Sequence, residues 1–369
     1  MRFHPHRGGR CRAAAVLPRV TSTPVAPRPA HMKHSYPVEN LRGLAILFVV
    51  LSHEGSVRGM PGVGEYVHFF LSDATSWFVF ISGFLFHHTQ HDRFSYPRYL
   101  ARKFQVIVLP YLLLSVIAIA LGIALSRPQF LGVSVPGYVA WSLVVGGAMV
   151  PPLWFIPMIS LVFGLSFVFI RLSRTWLIHG LALVGLVFTV FSERPFENLN
   201  PLLALLHFIG FYLAGIVCSV HAPAIARLKG TPASRVLMVA GAVWFAVAAT
   251  GFFTFGQTAN TFAEGLGHLN FRQLGKVGLL VTVFLLFQEF LDRPNPVLGY
   301  FARLSFGLYF IHGFLMLIFQ KVLERAPIAQ SPSLVYFAVE TAFVLGLSVL
   351  LAEAAKFTLK ARSRYVIGY

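Results

Sequence analysis

Residues 201–220 read PLLALLHFIGFYLAGIVCSV, an apolar run without a formally charged side chain. A helix of this length rises about 30 Å, which matches the hydrocarbon core of a bilayer. Comparable runs recur from residue 41 to residue 352, in a chain that is 56% hydrophobic and 12% charged. A water-soluble fold cannot bury so much apolar surface, so the sequence predicts an all-α polytopic membrane protein whose main partner is the lipid bilayer.

Polar breaks divide the apolar runs into about ten predicted transmembrane helices. Residues 137–149 are either a lead-in to the fourth helix or a re-entrant or interfacial segment. The ten helices are predicted at residues 41–57, 66–87, 104–125, 152–170, 176–191, 201–220, 236–255, 274–291, 304–323 and 333–352.

The distribution of charge between the loops predicts that both termini are cytoplasmic. Loops after the even-numbered helices and the C-terminal tail carry most arginines and lysines, as expected of cytoplasmic segments. The formal charge of +17 is explained in this way. It does not indicate nucleic acid, because the aromatic residues lie inside apolar runs and not in a basic patch. The opposite, external loops are expected to hold Glu54, Glu65, Glu193, Glu197, Glu264 and Glu324.

Composition divides the chain into three predicted regions. Residues 1–34 form a basic arm rich in Arg, Pro and Ala, and Met32 is an alternative start of the protein. Residues 35–355 form the membrane domain, and residues 356–369 form a basic cytoplasmic tail. The arm lacks the continuous apolar segment of a secretory signal, so it is expected to be disordered.

The first predicted span contains two ionisable residues that are candidates for a functional role. Arg42 and His53 are separated by eleven positions, which is three helical turns and about 16 Å along the axis. Ionisable groups within a span are costly and are by default functional candidates. His53 is suited to act as a general base, although it could instead cap the helix at the external interface. Arg42 is either a topogenic charge or a partner of Glu39.

This first span, with Arg42-Gly43 followed by an apolar stretch that ends at His53, resembles the acyltransferase-3 family of integral membrane acyltransferases. Four later segments, in the same order as in that family, are also similar to it. The resemblance covers roughly residues 38–350. The four segments are 77–85 (WFVFISGFL), 153–157 (LWFIP), 211–215 (FYLAG) and 304–312 (LSFGLYFIH).

The resemblance implies transfer of an acyl group, commonly acetyl, from a cytoplasmic CoA thioester to a hydroxyl of a cell-surface or lipid-linked glycan. It implies a bacterial-type inner-membrane location and makes His53 the catalytic base. Acetyl-CoA would be a donor substrate, with no permanently bound cofactor and no metal. Its phosphates are expected at Arg42, Arg98, Arg102 and Lys103. The family often has an Arg-x-x-Arg pair here, whereas residues 102–105 read RKFQ, which leaves the phosphate ligands open.

Five further residues are candidate substrate or supporting groups. Ser82 is also explained by close helix packing. Trp154 is either an interfacial anchor or a stacking platform for a sugar ring. Tyr309, His312 and Ser305 share one helix face, where His312 either orients a substrate by hydrogen bonding or is a satisfied buried histidine. The loops around Glu193, Arg194 and residues 264–276 are candidates to shape acceptor binding, with solvated charges as the alternative.

The main alternative function is a secondary transporter or flippase of a glycan or small solute. Ten spans, histidines at membrane depth and Gly/Pro interruptions are also transporter features. No inverted repeat is visible in the sequence, which favours the acyltransferase. The acceptor, the acyl group, the oligomeric state and the choice between direct transfer and an acyl-histidine intermediate are left open by the sequence.

Overall fold

The chain divides by its internal contacts into Met1–His34 and Ser35–Tyr369. The alternative start at Met32 and the predicted external glutamates Glu54, Glu197, Glu264 and Glu324 lie outside the described residues. The computed structural model describes Met1 and residues 34–53, 62–147, 150–195, 198–256, 269–323 and 333–368.

The described residues of the unit Ser35–Tyr369 form a succession of helices, and no strand occurs among them. A π-helical turn at Phe104–Val108 and 3₁₀ turns at Pro151–Trp154 and Lys360–Arg362 connect some of them. The α-helices are α1 (Tyr36–His53), α2 (Val63–Leu71), α3 (Thr75–Gln90), α4 (Tyr96–Lys103), α5 (Leu109–Ala124), α6 (Arg127–Phe130), α7 (Val135–Val145), α8 (Phe155–Gly164), α9 (Ser166–Leu172), α10 (Leu177–Val190), α11 (Pro201–Val220), α12 (Ala222–Arg227), α13 (Pro232–Phe255), α14 (Phe271–Phe290), α15 (Pro296–Leu323), α16 (Leu334–Leu359) and α17 (Ser363–Val366).

Several long helices begin at a capping side chain followed directly by proline. The side-chain oxygens of Asn200, Thr231 and Asn295 accept hydrogen bonds from backbone N–H groups two or three residues later. Such oxygens satisfy donors that have no partner within the helix. Proline at the first helical position costs no hydrogen bond, because its missing N–H would have had no partner within the helix. These local signals fix where α11, α13 and α15 start.

The prediction of an all-α polytopic membrane protein is confirmed. Within the described part of the chain, seven helical stretches are long and apolar enough to cross a bilayer. An eighth is obtained if Pro151–Gly164 and Ser166–Leu172, bent by 55°, count as one broken span. Each of the ten predicted segments overlaps an α-helix in the part of the chain that the structure describes. The count of ten stays a prediction, because α10 has 14 residues and α1 includes both Glu39 and Arg42.

The ambiguous segment at 137–149 corresponds largely to α7, a separate helix of 11 residues. Eleven residues rise only about 16 Å, so α7 is too short to cross the bilayer core. It packs on α5, where the Tyr111 hydroxyl donates to the Leu143 carbonyl at 2.7 Å. The bulk of Tyr138 fits there because Gly122 on α5 has no side chain.

Helices α3 and α11 approach so closely that only glycine fits between them. A Cβ atom added to Gly83 on α3 would lie 1.9 Å from the Tyr212 carbonyl oxygen on α11, and one added to Gly215 would lie 2.0 Å from that of Phe80. Small residues allow such backbone contacts in membrane helices. Ser82, the neighbour of Gly83, is half-buried, so the close approach depends on the glycine.

Helices α1 and α15 form another such close pair and run parallel. A Cβ atom on Gly43 would lie 2.1 Å from the Leu298 carbonyl oxygen. Asn40, before this crossing, donates to the carbonyl of Leu291, and His53, at the far end, meets His312. Parallel packing agrees with the predicted alternation of cytoplasmic and external loops, which makes the first and ninth spans cross the membrane in the same direction.

The end of the chain is folded against the membrane domain, although the sequence predicts only a basic tail at 356–369. Helix α16 continues to Leu359, and Lys360 turns the chain with φ of 49°. Ile367 is buried, and a Cβ atom on Gly368 would lie 3.2 Å from the Val106 carbonyl oxygen. The tail therefore packs on the π-helical turn.

We expect Gly83→Ala to lower the free energy of unfolding by about 1–3 kcal/mol, because the added methyl group forces α3 and α11 apart. The measurement is the melting temperature of the purified protein in detergent. Gly346→Ala is the matched control, since nothing lies within 4 Å of a Cβ atom at this exposed helical glycine. Equal melting temperatures for Gly83→Ala and Gly346→Ala would contradict the prediction.

Candidate functional site

The parallel pair α1 and α15 brings two histidine rings together. The ring centroids of His53 and His312 lie 5.5 Å apart. His53 is the last residue of α1 and is half-buried, whereas His312 is fully buried in α15. The contact unites the first predicted site residue with one from the distant 304–312 segment.

The hydrogen bonding of His312 fixes its tautomer. Its Nδ1 lies 2.9 Å from the Leu308 carbonyl oxygen. A carbonyl oxygen only accepts, so Nδ1 carries a proton, and in the neutral ring Nε2 then presents a lone pair. That Nε2 has no hydrogen-bond partner within the described residues. The neutral form of His312 thus has a buried acceptor nitrogen in a ring that lies next to His53.

A small pocket opens beside His53. It is narrow, since the centre of a water-sized sphere has only about 20 Å³ of space in it, which is room for roughly one water molecule. A pocket this narrow has no room for an entire substrate molecule. It is lined by Val49, His53, Thr75, Phe78, Pro152, Trp154, Phe155 and Tyr309.

Trp154 and Tyr309 are held in the pocket wall by the 3₁₀ turn. The Tyr309 hydroxyl donates a hydrogen bond to the Pro152 carbonyl. Trp154 stacks on Phe208 with ring centroids 5.7 Å apart. The side chain of Trp154 is only 4% exposed, which argues against an anchor at the membrane surface. Gly313 permits this arrangement, since a Cβ atom there would meet Pro152 at 3.0 Å.

Two of the predicted supporting residues lie outside this pocket. Ser305 is on α15, and its buried hydroxyl has no hydrogen-bond partner within the described residues. Ser82 is half-buried on α3. The structure therefore brings His53, Trp154, Tyr309 and His312 together and leaves Ser82 and Ser305 apart from them.

Arg42, one of the predicted donor-binding residues, lies near the other end of α1. Arg42 donates from Nε and Nη2 to the Ala302 carbonyl, with Nε at 2.9 Å. Lys103 lies within electrostatic range of Arg42 and Arg102, and its Nζ is 4.9 Å from the centre of the Phe163 ring. Arg42 therefore fastens α1 to α15, while other cations surround it.

Arg98 and Arg102 are exposed on α4. Glu39 and Arg303 also lie near this end, because a Cβ atom on Gly299 would be within 4 Å of both the Glu39 Oε1 and Arg303 Nη1 atoms. Arg303 was not among the predicted ligands. The exposed arginines are the groups here most accessible to an anionic ligand.

A second group of charges, which we call the polar cluster, surrounds Asp73 in the turn between α2 and α3. The Asp73 side chain is 4% exposed, and its Oδ1 lies 3.2 Å from Arg194 Nη1. Lys276 is fully buried and donates to the Phe70 carbonyl at 2.5 Å. The polar cluster comprises Asp73, Glu193, Arg194, His207, Arg272 and Lys276, which interact electrostatically.

Hydrogen bonds connect the elements that build the polar cluster. The Ser76 hydroxyl donates to Gln273 Oε1 at 3.0 Å. Asn270 donates to the Ser192 carbonyl at 3.0 Å, and the Ser192 hydroxyl lies 2.9 Å from His207 Nδ1. Helices α3, α11 and α14 and the segment after α10 are thereby joined in one network.

Only part of this cluster was predicted from the sequence. Arg194 was placed in an external loop. Lys276 was placed both in the loop region 264–276 and at the start of the predicted helix 274–291, and it lies within α14, which begins at Phe271. Asp73 was missed altogether. The sequence does contain a signal for Asp73, because it is a carboxylate inside the predicted helix 66–87. A carboxylate at such a position requires a buried partner.

Glu193, which lies between α10 and α11, has an unusual acidity. Partial burial raises the pKa of its carboxyl group to about 7, and the neighbouring Asp73 carboxylate adds to the effect. Arg194 and Arg272 oppose the shift without cancelling it. The group therefore changes charge near neutral pH. Across the described residues, no group of three or more His, Cys, Asp or Glu side chains is placed to hold a metal ion.

Comparison with known proteins gives one match. The acyltransferase-3 model, described as an acyltransferase domain, matches residues 36–353, which is nearly the whole chain. No curated protein and no solved structure matches it.

We expect Glu193→Gln to stabilise the protein at pH 8 more than at pH 5. The folded-state pKa of about 7 exceeds the ordinary value of 4.5. An unfolded chain releases this proton at lower pH, so the folded state loses stability as pH rises from about 5 through 7. The measurement is the melting temperature of variant and wild type across this range.

Glu65→Gln is the control for this experiment, because Glu65 is exposed on α2. A difference between Glu193→Gln and wild type that stays constant from pH 5 to pH 8 would show that Glu193 does not titrate in this window.

Proposed function

The chain belongs to the acyltransferase-3 family of integral membrane acyltransferases, and from this premise we propose that it transfers an acyl group, most simply acetyl, from cytoplasmic acyl-CoA to a hydroxyl of a cell-surface or lipid-linked glycan. The carrying observation is the pocket in which His53 lies beside His312, with Trp154 and Tyr309 in its wall. A bacterial-type inner membrane is the proposed location.

His53 is the proposed general base. Its neutral ring accepts the proton of the acceptor hydroxyl while that oxygen attacks the thioester carbonyl. Collapse of the tetrahedral intermediate breaks the carbon–sulfur bond, and the imidazolium returns the proton to the departing thiolate. The partial exposure of His53 supports this role, because the ring is open to the pocket.

His312 supports His53 in this scheme without forming a bond to the substrate. Its Nδ1–H is held by the Leu308 carbonyl, so the ring presents only a lone pair at Nε2. An acceptor atom near His53 stabilises a positively charged imidazolium by electrostatic attraction. The buried ring is therefore proposed as a positioning residue.

Binding of the donor is proposed at the opposite end of α1. Exposed Arg98 and Arg102 are available to CoA phosphates, and guanidinium groups match phosphate oxygens well. Arg42 and Lys103 are more buried and supply positive potential behind them. The rise of about 16 Å from Arg42 to His53 is a distance that an extended pantetheine arm would bridge.

We expect His53→Ala and His53→Gln to lower acetyl-CoA turnover roughly 100- to 10,000-fold, the range for loss of a general base. Binding of a non-hydrolysable CoA analogue should be retained. The measurement combines free thiol release with analogue binding, using the purified protein in nanodiscs. His179→Ala is the control, since His179 is exposed and paired with His221.

Two outcomes would overturn the proposal. Full turnover in both His53 variants would remove His53 from the chemistry. Absence of CoA-analogue binding in the wild type would contradict the acyltransferase and favour a transporter, for which the broken helix at α8 and α9 is the supporting feature.

We expect the double substitution Arg98→Ala/Arg102→Ala to raise the KM for acetyl-CoA about 5- to 30-fold and to leave kcat within about twofold. This range corresponds to the loss of two charge-assisted hydrogen bonds, each of them weakened by solvent exposure. Arg235→Ala is the control, because Arg235 is exposed at the start of α13. An unchanged KM for the double variant would place the phosphates elsewhere.

A further inference from the structure

The wall of the His53 pocket contains a hydroxyl group that the proton transfer by His53 does not use. Thr75, the first residue of α3, lines this pocket together with His53 and Tyr309. The Tyr309 hydroxyl donates to the Pro152 carbonyl, so its proton is already engaged. The Thr75 hydroxyl has no hydrogen-bond partner in the part of the chain that the structure describes. Its proton is therefore available to a group that enters the pocket.

The position of Thr75 in its helix explains why this proton is available. Threonine hydroxyls inside a helix donate to the backbone carbonyl one turn earlier. Thr89 donates in this way to Leu85 at 2.8 Å, further along α3. Thr250 does the same to Ala246 at 3.0 Å on α13. Because α3 begins at Thr75, no earlier turn of this helix offers it a carbonyl.

Contacts on either side of Thr75 fix the start of α3. Two residues before it, the Asp73 carboxylate is paired with Arg194 at 3.2 Å. One residue after it, the Ser76 hydroxyl donates to Gln273 Oε1 at 3.0 Å. Asp73 has a left-handed backbone with φ of 58°, a conformation that a residue other than glycine keeps only where the surrounding structure holds it. Thr75 is therefore held in a defined place in the pocket wall.

The pocket that Thr75 and His53 share suits a single oxygen atom that bears charge. It has room for roughly one water molecule. Much of its remaining wall is apolar, with Val49, Phe78 and Phe155 among the lining residues. Negative charge on an oxygen atom in such a space is poorly solvated unless a donor in the wall reaches it.

Acyl transfer from a thioester generates such a charge. The acceptor oxygen attacks the carbonyl carbon while its proton passes to His53, and the π electrons of the C=O bond move to the carbonyl oxygen. This oxygen stays negative until the C=O bond re-forms and the carbon–sulfur bond breaks. His312 in its neutral form cannot donate to it, because the Nδ1–H of that ring is held by the Leu308 carbonyl.

We propose that the Thr75 hydroxyl donates a hydrogen bond to the carbonyl oxygen of the thioester and stabilises the oxyanion that forms there. This inference rests on the proposed acyl transfer and adds a catalytic residue to it. Thr75 keeps its proton throughout, since His53 carries the proton from the acceptor hydroxyl to the departing thiolate. The hydrogen bond strengthens as negative charge develops, so it stabilises the transition state more than bound acetyl-CoA.

The experiment measures thiol release from acetyl-CoA by Thr75→Val and wild type, each as the full chain in nanodiscs. Valine resembles threonine in shape and lacks the hydroxyl. We expect kcat to fall about 100-fold, the lower end of the range for loss of one oxyanion donor. The KM for acetyl-CoA should stay within about twofold, because the lost interaction belongs to the transition state.

Two further variants serve as the rescue and the control. Thr75→Ser keeps a hydroxyl donor, so its kcat should stay within about threefold of wild type. Thr250→Val removes an exposed hydroxyl that donates within its own helix α13, and its kcat should match wild type. If Thr75→Val does not fold, Thr75→Ala removes the same hydroxyl with a smaller side chain, and the same loss of kcat is expected.

A second substrate separates hydrogen bonding to the oxyanion from damage to the fold. In dithioacetyl-CoA a sulfur atom replaces the carbonyl oxygen, and sulfur is a weak hydrogen-bond acceptor. Loss of the Thr75 hydroxyl should therefore slow thiol release from dithioacetyl-CoA less than about threefold, against about 100-fold for acetyl-CoA. Equal slowing of the two substrates, or a kcat of Thr75→Val equal to that of wild type with acetyl-CoA, would overturn the proposal.

CoA-analogue binding and the effect of His53→Ala are measured on the same preparations. Absence of analogue binding, or of thiol release that depends on His53, in the wild type contradicts the proposed function itself and this inference with it. Thiol release that depends on His53 but is unchanged in Thr75→Val contradicts only the role of Thr75.

Discussion

The close approach of α1 to α15 at Gly43 is the constraint on which the rest of the site depends. The Gly43 backbone lies against the Leu298 carbonyl with no room for a side chain. Arg42 locks the same crossing by donating twice to the Ala302 carbonyl. Because the helices run parallel from this point, their next turns place His53 and His312 side by side. Displacement at the crossing would separate the two rings.

Much of the fold was predictable because it follows from local signals. Apolar runs of bilayer length, capping side chains before proline and small residues at close crossings each act within one short segment. The pairing of His53 with residues of the 304–312 segment was not predictable from spacing, since it joins the first predicted span to the ninth. Resemblance to a family supplied candidates on both segments, but their contact became visible only in the structure.

The polar cluster shows where sequence reasoning fails. Asp73, Arg194, His207 and Lys276 come from four separate parts of the chain, and each taken alone has an ordinary explanation. A loop arginine reads as a solvated charge, and Lys276 reads as a residue flanking a helix. Only packing reveals that Lys276 is buried and shares a carboxylate with Arg194. Arg42 is the opposite case. It was predicted to bind CoA phosphates, but its guanidinium group donates to the Ala302 carbonyl.

Charged groups lie at both ends of α1. Near its beginning, Lys103 lies within electrostatic range of Arg42 and Arg102. Near its end, the polar cluster surrounds Asp73, which precedes Thr75 in the wall of the His53 pocket by two residues. Between them α1 is almost wholly apolar, so an anion placed at one end has little reason to enter the other. In the proposed reaction, a thioester that arrives along α1 would meet the acceptor hydroxyl at His53, because the narrow pocket there has no room for more than the reacting groups.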